Sequence, residues 1–115
     1  MADTWNFEIE QGATFQMRFT VMADNGTPIY SASWTPKFQI RATQDPAAGL
    51  IADAATGPNS ISYNATTGEI DVVLAASVTA AMTFSTAYYD VQMVNGTAKD
   101  RLSQGSVSFN KGVVP

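Results

Sequence analysis

Phe15-Gln16-Met17-Arg18-Phe19-Thr20-Val21 sets an apolar side chain at every second position and a polar one between each. Successive side chains of an extended chain point to opposite faces, so the stretch reads as a strand with one face buried and the other wet. The same period recurs on both sides of it. Upstream, Trp5, Phe7 and Ile9 alternate with Asn6, Glu8 and Glu10. Downstream, Phe38 and Ile40 alternate with Lys37, Gln39 and Arg41 in a run over residues 34–42. Ile70, Val72 and Leu74 repeat the pattern, as do Tyr89, Val91 and Met93 against Tyr88, Asp90 and Gln92.

Turn chemistry separates these runs. Gln11-Gly12 predicts a bend between the first two strands, and Ala23-Asp24-Asn25-Gly26-Thr27-Pro28 a loop. Asn64-Ala65-Thr66-Thr67-Gly68 predicts a five-residue hairpin loop closed by a glycine at positive φ. Asn95-Gly96 predicts a type I′ hairpin with a return strand over residues 99–103, and a last strand over 106–110 after Gln104-Gly105. Pro36 has no amide hydrogen to give a ladder, which places the start of its strand at an edge or an end. Residues 44–59 read as a long connection with one short strand near Leu50-Ile51. Residues 75–82 read as the one helical turn, with Ser77 as its N-cap. About eight short strands and at most one short helical turn predict an all-β domain over residues 1–115, an antiparallel β-sandwich of Ig-like topology, with a small closed barrel as the rival.

Composition narrows the function. Of the 115 residues 45% are hydrophobic and only 14% charged, so the predicted surface is polar but sparsely charged. The net charge is -4 and the six basic residues are scattered, which argues against nucleic acid as a partner, because phosphate binding needs clustered Lys and Arg. Residues 1–5 lack a basic and apolar leader pattern, and no apolar run is long enough to span a bilayer, so synthesis in the cytoplasm and no membrane partner are expected. The chain has no cysteine and no histidine. Cysteine-based zinc sites, disulfides and the usual base of a hydroxyl nucleophile are thereby excluded.

The remaining candidates for chemistry each have a plainer reading. Glu8 with Glu10 and Glu69 with Asp71 each project one way from a strand, as an acid-base pair would, but outward charges between inward apolar residues are what any half-exposed strand carries. Asp24-Asn25-Gly26 offers oxygen ligands without the rest of a twelve-position calcium loop. Three Asn-x-Thr sequons, at Asn25, Asn64 and Asn95, coincide with turns that favour Asn for its own conformation. No catalytic residue, cofactor or metal is expected. Aromatic and turn residues are the better candidates, for protein contact: Tyr30 after a turn and Tyr88 on a polar face as surface aromatics, Trp5 near the N-terminus, and Asn25 and Asn95 in loops.

Phe7-Glu8-Ile9-Glu10-Gln11-Gly12-Ala13-Thr14-Phe15, the Asp24-to-Pro28 turn, Phe38-Gln39-Ile40-Arg41, Tyr88-Tyr89-Asp90-Val91-Gln92 and Gly105-Ser106-Val107 resemble small virion proteins of tailed bacteriophages. The likeness is greatest to the Ig-like N-terminal modules of baseplate upper proteins and related tail or fibre-anchoring domains. The resemblance implies a non-enzymatic structural protein located in the virion. It would act as an adaptor of the tail, baseplate or neck that docks other virion proteins in a symmetric multi-copy assembly, with a homo-oligomer as one form. Longer members continue into a receptor-binding portion, so host recognition is not expected of this chain. A capsid decoration protein is the alternative. A carbohydrate-binding module stacking sugars on Tyr30, Tyr88 or Trp34 comes third.

Overall fold

The computed structural model describes residues 3–4, 6–23, 25–44, 49–55 and 57–111, the first two by backbone alone. Among these residues nine strands form two sheets, joined by one short helix. The larger sheet contains β1 (Asp3–Thr4), β2 (Phe7–Glu10), β4 (Thr35–Arg41), β5 (Leu50–Asp53), β8 (Thr86–Asn95) and β9 (Ala98–Asn110). Its order is β1-β9-β8-β4-β5, with β2 on the same side of β9 as β1 in a shared register of one hundred residues: Asp3 opposite Ser103, Phe7 opposite Val107. The smaller sheet is β3 (Phe15–Thr20), β7 (Glu69–Leu74) and β6 (Ser60–Asn64), in that order. The two N-terminal strands pair with β9 in parallel, and every other pairing is antiparallel.

The period of two does what it predicts. Phe38, Ile40, Val91, Met93 and Val107 of the larger sheet are wholly buried against Ile70, Val72 and Leu74 of the smaller one. Phe7, Phe15, Phe38 and Tyr89 form an aromatic cluster in this core, with centroids 4.7 Å apart for Phe7–Tyr89 and 5.1 Å for Phe7–Phe15. The buried Tyr89 hydroxyl is satisfied by Ser103 Oγ at 2.9 Å. That bond removes the penalty of burying two hydroxyls alone.

Between β2 and β3 the chain crosses from one sheet to the other at Gly12, where φ is +79°. The corner is tied down by helix α1 (Ala76–Ala80): Thr79, wholly buried, donates from Oγ1 to Ala13 O at 2.8 Å. Ser77 does not cap this helix. Ala75 occupies the N-cap with no side-chain bond, and Ser77 lies exposed inside the helix. Neither Trp5 nor Asp24 falls within the described residues.

Three local differences from the expected pattern matter. The 95–98 hairpin pairs Asn95 with Ala98, so its two central residues are Gly96 and Thr97. Gly96 has φ +60° and Thr97 is not in the positive region, which gives a type II′ turn with glycine first, not type I′. Second, β9 does not break at Gln104-Gly105 but runs unbroken for 13 residues. Its irregularity is a bulge at Leu102, since Val91 faces Ser103 while Gln92 faces Arg101. Third, a comparable shift at Ile51 separates the Ile40–Ala52 and Arg41–Leu50 pairs of β4 and β5.

Candidate functional site

The segment of residues 22–23 and 25–28, the 64–68 turn and the 95–97 turn are joined at one end of the sandwich by hydrogen bonds through Val21, Tyr30 and Ser33. The Met22–Pro28 bridge and the bond from Ala23 N to Thr27 O, 2.8 Å, close a small hairpin whose described residues are 22, 23 and 25–28. Within it Asn25 Oδ1 accepts from Thr27 N at 3.1 Å and Thr27 Oγ1 at 2.6 Å. This hairpin leans on the 64–68 turn: Val21 N donates to Gly68 O at 2.8 Å, and a Cβ at Gly68 would lie 2.6 Å from Val21 O. Glycine is required at position 68 twice over, for its φ of +75° and for that approach.

Tyr30 is the joint of this end. The expectation that it lies on the surface is corrected: it is 8% exposed, packed edge-on against Trp34 with centroids 4.9 Å apart. Its hydroxyl donates to Asp100 Oδ2 at 3.0 Å, and its carbonyl accepts from the Tyr63 hydroxyl. One residue therefore links the β8–β9 hairpin to the smaller sheet. Burial first, then the Asp100 carboxylate, pushes the Tyr30 phenol up to about 12. Asn95, exposed, reaches Ser33 Oγ at 3.5 Å across the same end. Around this frame two large apolar side chains stand in solvent, Met22 at 41% and Ile29 at 55% exposed. Met22 is one partner of the Met22–Pro28 bridge and Ile29 follows the other. The period-two reading missed them because they sit in a loop.

Tyr88 lies elsewhere, half-buried on the outer face of the larger sheet. There Gln39, Arg41, Tyr88, Asp90, Gln92 and Arg101 line a groove of about 230 Å³ with Gly105 in its wall. Arg101 Nε bonds both Asp90 oxygens, at 3.1 and 3.0 Å, and Gln92 Nε2 donates to Asp90 Oδ2 at 2.8 Å. On the next strand Arg41 donates to Gln39 Oε1 at 3.0 Å, and Gln39 Nε2 to Asp53 Oδ2 at 3.0 Å. The Leu102 bulge builds this arrangement. In a regular strand Arg101 and Ser103 would share a face; the extra residue turns Arg101 outward to Asp90 while Ser103 stays in the core. It also leaves Asp100 on the side from which it meets Tyr30.

The carboxylate pairs are accounted for differently. Glu8 and Glu10 are exposed on β2. Glu69 and Asp71 share Arg18, whose Nε lies 2.6 Å from Asp71 Oδ1 and whose Nη1 lies 3.2 Å from Glu69 Oε2. The Asp71 hydrogen bond and the two negative charges raise the Arg18 pKa further above its ordinary value. Among the described residues no three acidic side chains gather as a metal cluster, and no helix is long and apolar enough to cross a membrane. The structure thus brings Tyr30 and Asn95 to the end that carries Asn25 and separates Tyr88 from them. Neither a protein-family model nor a curated protein matches this chain.

Proposed function

We propose that the chain is a non-enzymatic structural module of a tailed-bacteriophage virion, an adaptor of the tail, baseplate or neck that docks other virion proteins through its loop end. The observation that carries the reading is the pairing of Met22 and Ile29, exposed and apolar, with a braced frame beneath them. Apolar anchors on a rigid support lose little conformational entropy on docking, which is how a small patch becomes an effective contact. Repeated by particle symmetry, each weak contact forms at high effective concentration. The resemblance of the strand and turn patterns to phage baseplate modules supplies the setting.

Purified particles of the phage that encodes the chain test this. Mass spectrometry should find the protein, and a reconstruction should trace it in the tail, baseplate or neck. Density over the shell lattice would replace the adaptor by a capsid decoration protein, and a particle without the chain would end both readings. A Met22→Asp, Ile29→Asp double variant should fold normally in isolation yet fail to enter the particle.

A further inference from the structure

We infer that the groove on the outer face of the larger sheet is a binding site for an uncharged, hydroxyl-rich ligand of the saccharide class. The groove leaves both donors and acceptors over. Asp90 is held by Arg101 and Gln92, which fixes all three side chains before any ligand arrives. What then faces outward alternates in kind. Gln92 keeps its Oε1 as an acceptor and Arg101 its two terminal Nη groups as donors, while among the described residues the Tyr88 hydroxyl and the Gln104 amide make no side-chain bond. A hydroxyl group donates and accepts at once, so neighbouring hydroxyls on a ring match donors interleaved with acceptors.

Charge selects against the other ligand classes. A carboxylate or phosphate could use only the donors and would meet the Asp90 carboxylate between them. An ammonium would meet the guanidiniums of Arg41 and Arg101. Arg101 is paired with Asp90 and the Arg41 guanidinium is held by Gln39, so an uncharged polyol displaces no ion pair on entering. The half-buried Tyr88 ring supplies the apolar face that the C–H side of a sugar ring stacks on. A volume of about 230 Å³ takes a short saccharide unit and not a folded partner. None of these residues belongs to the loop end, so the site stands or falls independently of the adaptor reading.

The test is a titration of the ¹⁵N-labelled protein with cellohexaose, chitohexaose and maltohexaose, followed by the side-chain amide signals of Gln92 and Gln104. At least one of the three should give saturable shifts at both amides. Tyr88→Ala should weaken that binding roughly tenfold, and Asn25→Ala at the loop end should leave it unchanged. If Tyr88→Ala does not fold by circular dichroism, Gln104→Ala, at an exposed position, takes its place with a loss in the same direction. The inference is overturned if none of the three oligosaccharides shifts these amides, if the shifts survive both variants, or if a hexaglutamate peptide moves the same signals when the sugars do not.

Discussion

The outer faces of the two sheets are written in the same alphabet and come out as different surfaces. On the smaller sheet β3, β7 and β6 pair in unbroken register, and Arg18 lies flat across Glu69 and Asp71 in solvent. On the larger sheet the ladders slip at Ile51 and at Leu102, and the polar side chains of β4, β8 and β9 close round a groove. A bulge raises local twist and bends its strand, so polar residues that would form a flat rank instead converge. Alternation decides which residues meet water; the irregularities decide how the polar ones of the larger sheet converge.

The largest expected effect tests that claim directly. Inserting one alanine between Val91 and Gln92 would give Leu102 a partner, restore regular alternation, turn Arg101 to the core side with Ser103 and break the Tyr30–Asp100 bond, and should cost about 3 kcal/mol or more in urea denaturation. A variant that folded with unchanged stability would show that the bulge is incidental. The inner faces, by contrast, should respond alike. Phe38→Ala in the larger sheet should cost about 3–5 kcal/mol and Leu74→Ala in the smaller about 2–5 kcal/mol, because both side chains are wholly buried in one shared core.

Glycines sharpen the comparison at a smaller scale. Gly68→Ala meets both positive φ and the Val21 carbonyl and should cost about 2 kcal/mol, whereas Gly96→Ala meets open space and should cost about 1 kcal/mol. Equal losses would mean that the close approach at Gly68 is relieved by a shift of the loop.

Tyr30 provides a pH-dependent test of the joint between the sheets. Its phenol is raised from the ordinary 10.0 to about 12, so the folded chain holds the proton after the unfolded chain has released it. The resulting stability is fully present below pH 10 and is lost as pH rises toward 12. Melting curves of the native chain and Tyr30→Phe between pH 8 and 12 should therefore converge at the alkaline end, from a difference of about 1–2 kcal/mol at pH 8. A gap that stays constant with pH would remove the phenol from the account. The smallest effect belongs to the outer faces: Arg18→Gln should leave the midpoint unchanged at moderate salt, and Arg101→Gln should cost no more than about 1 kcal/mol. Arg101→Gln should leave the Gln92 amide bonded to Asp90 but shift its side-chain signal, because Asp90 loses its charged partner.

Much of this architecture can be read from residue order. The strands around Phe15, Phe38, Ile70 and Tyr89 lie where their alternation places them, and Gly68 closes its loop at positive φ as expected, although Asn64 pairs with Glu69 and the loop is therefore residues 65–68 and not the five residues 64–68. The reading fails where alternation is suspended. Val94 and Asn95 carry the ladder one residue further than Asn95-Gly96 alone would indicate, which changes the turn type. Leu102 looks like one more apolar strand residue, and no local signal marks it as the bulge. Tyr30 follows a turn and so reads as exposed, yet Trp34 four residues on and Tyr63 and Asp100 from two distant parts of the chain enclose it. Of the interface candidates, Asn25 and Asn95 are exposed, Tyr88 is half-buried in a groove, and Trp5 lies outside the described residues.

Fold class, the identity of the buried faces and the absence of thiol and imidazole chemistry follow from residue order alone, because each depends on side-chain type and on a period that needs only neighbouring residues. Which strands bulge, where Tyr30 lodges and which polar groups converge around Tyr88 depend on pairing between segments as much as 70 positions apart. Register across such separations is set by the packing of both sheets at once, and no stretch of sequence carries that information locally.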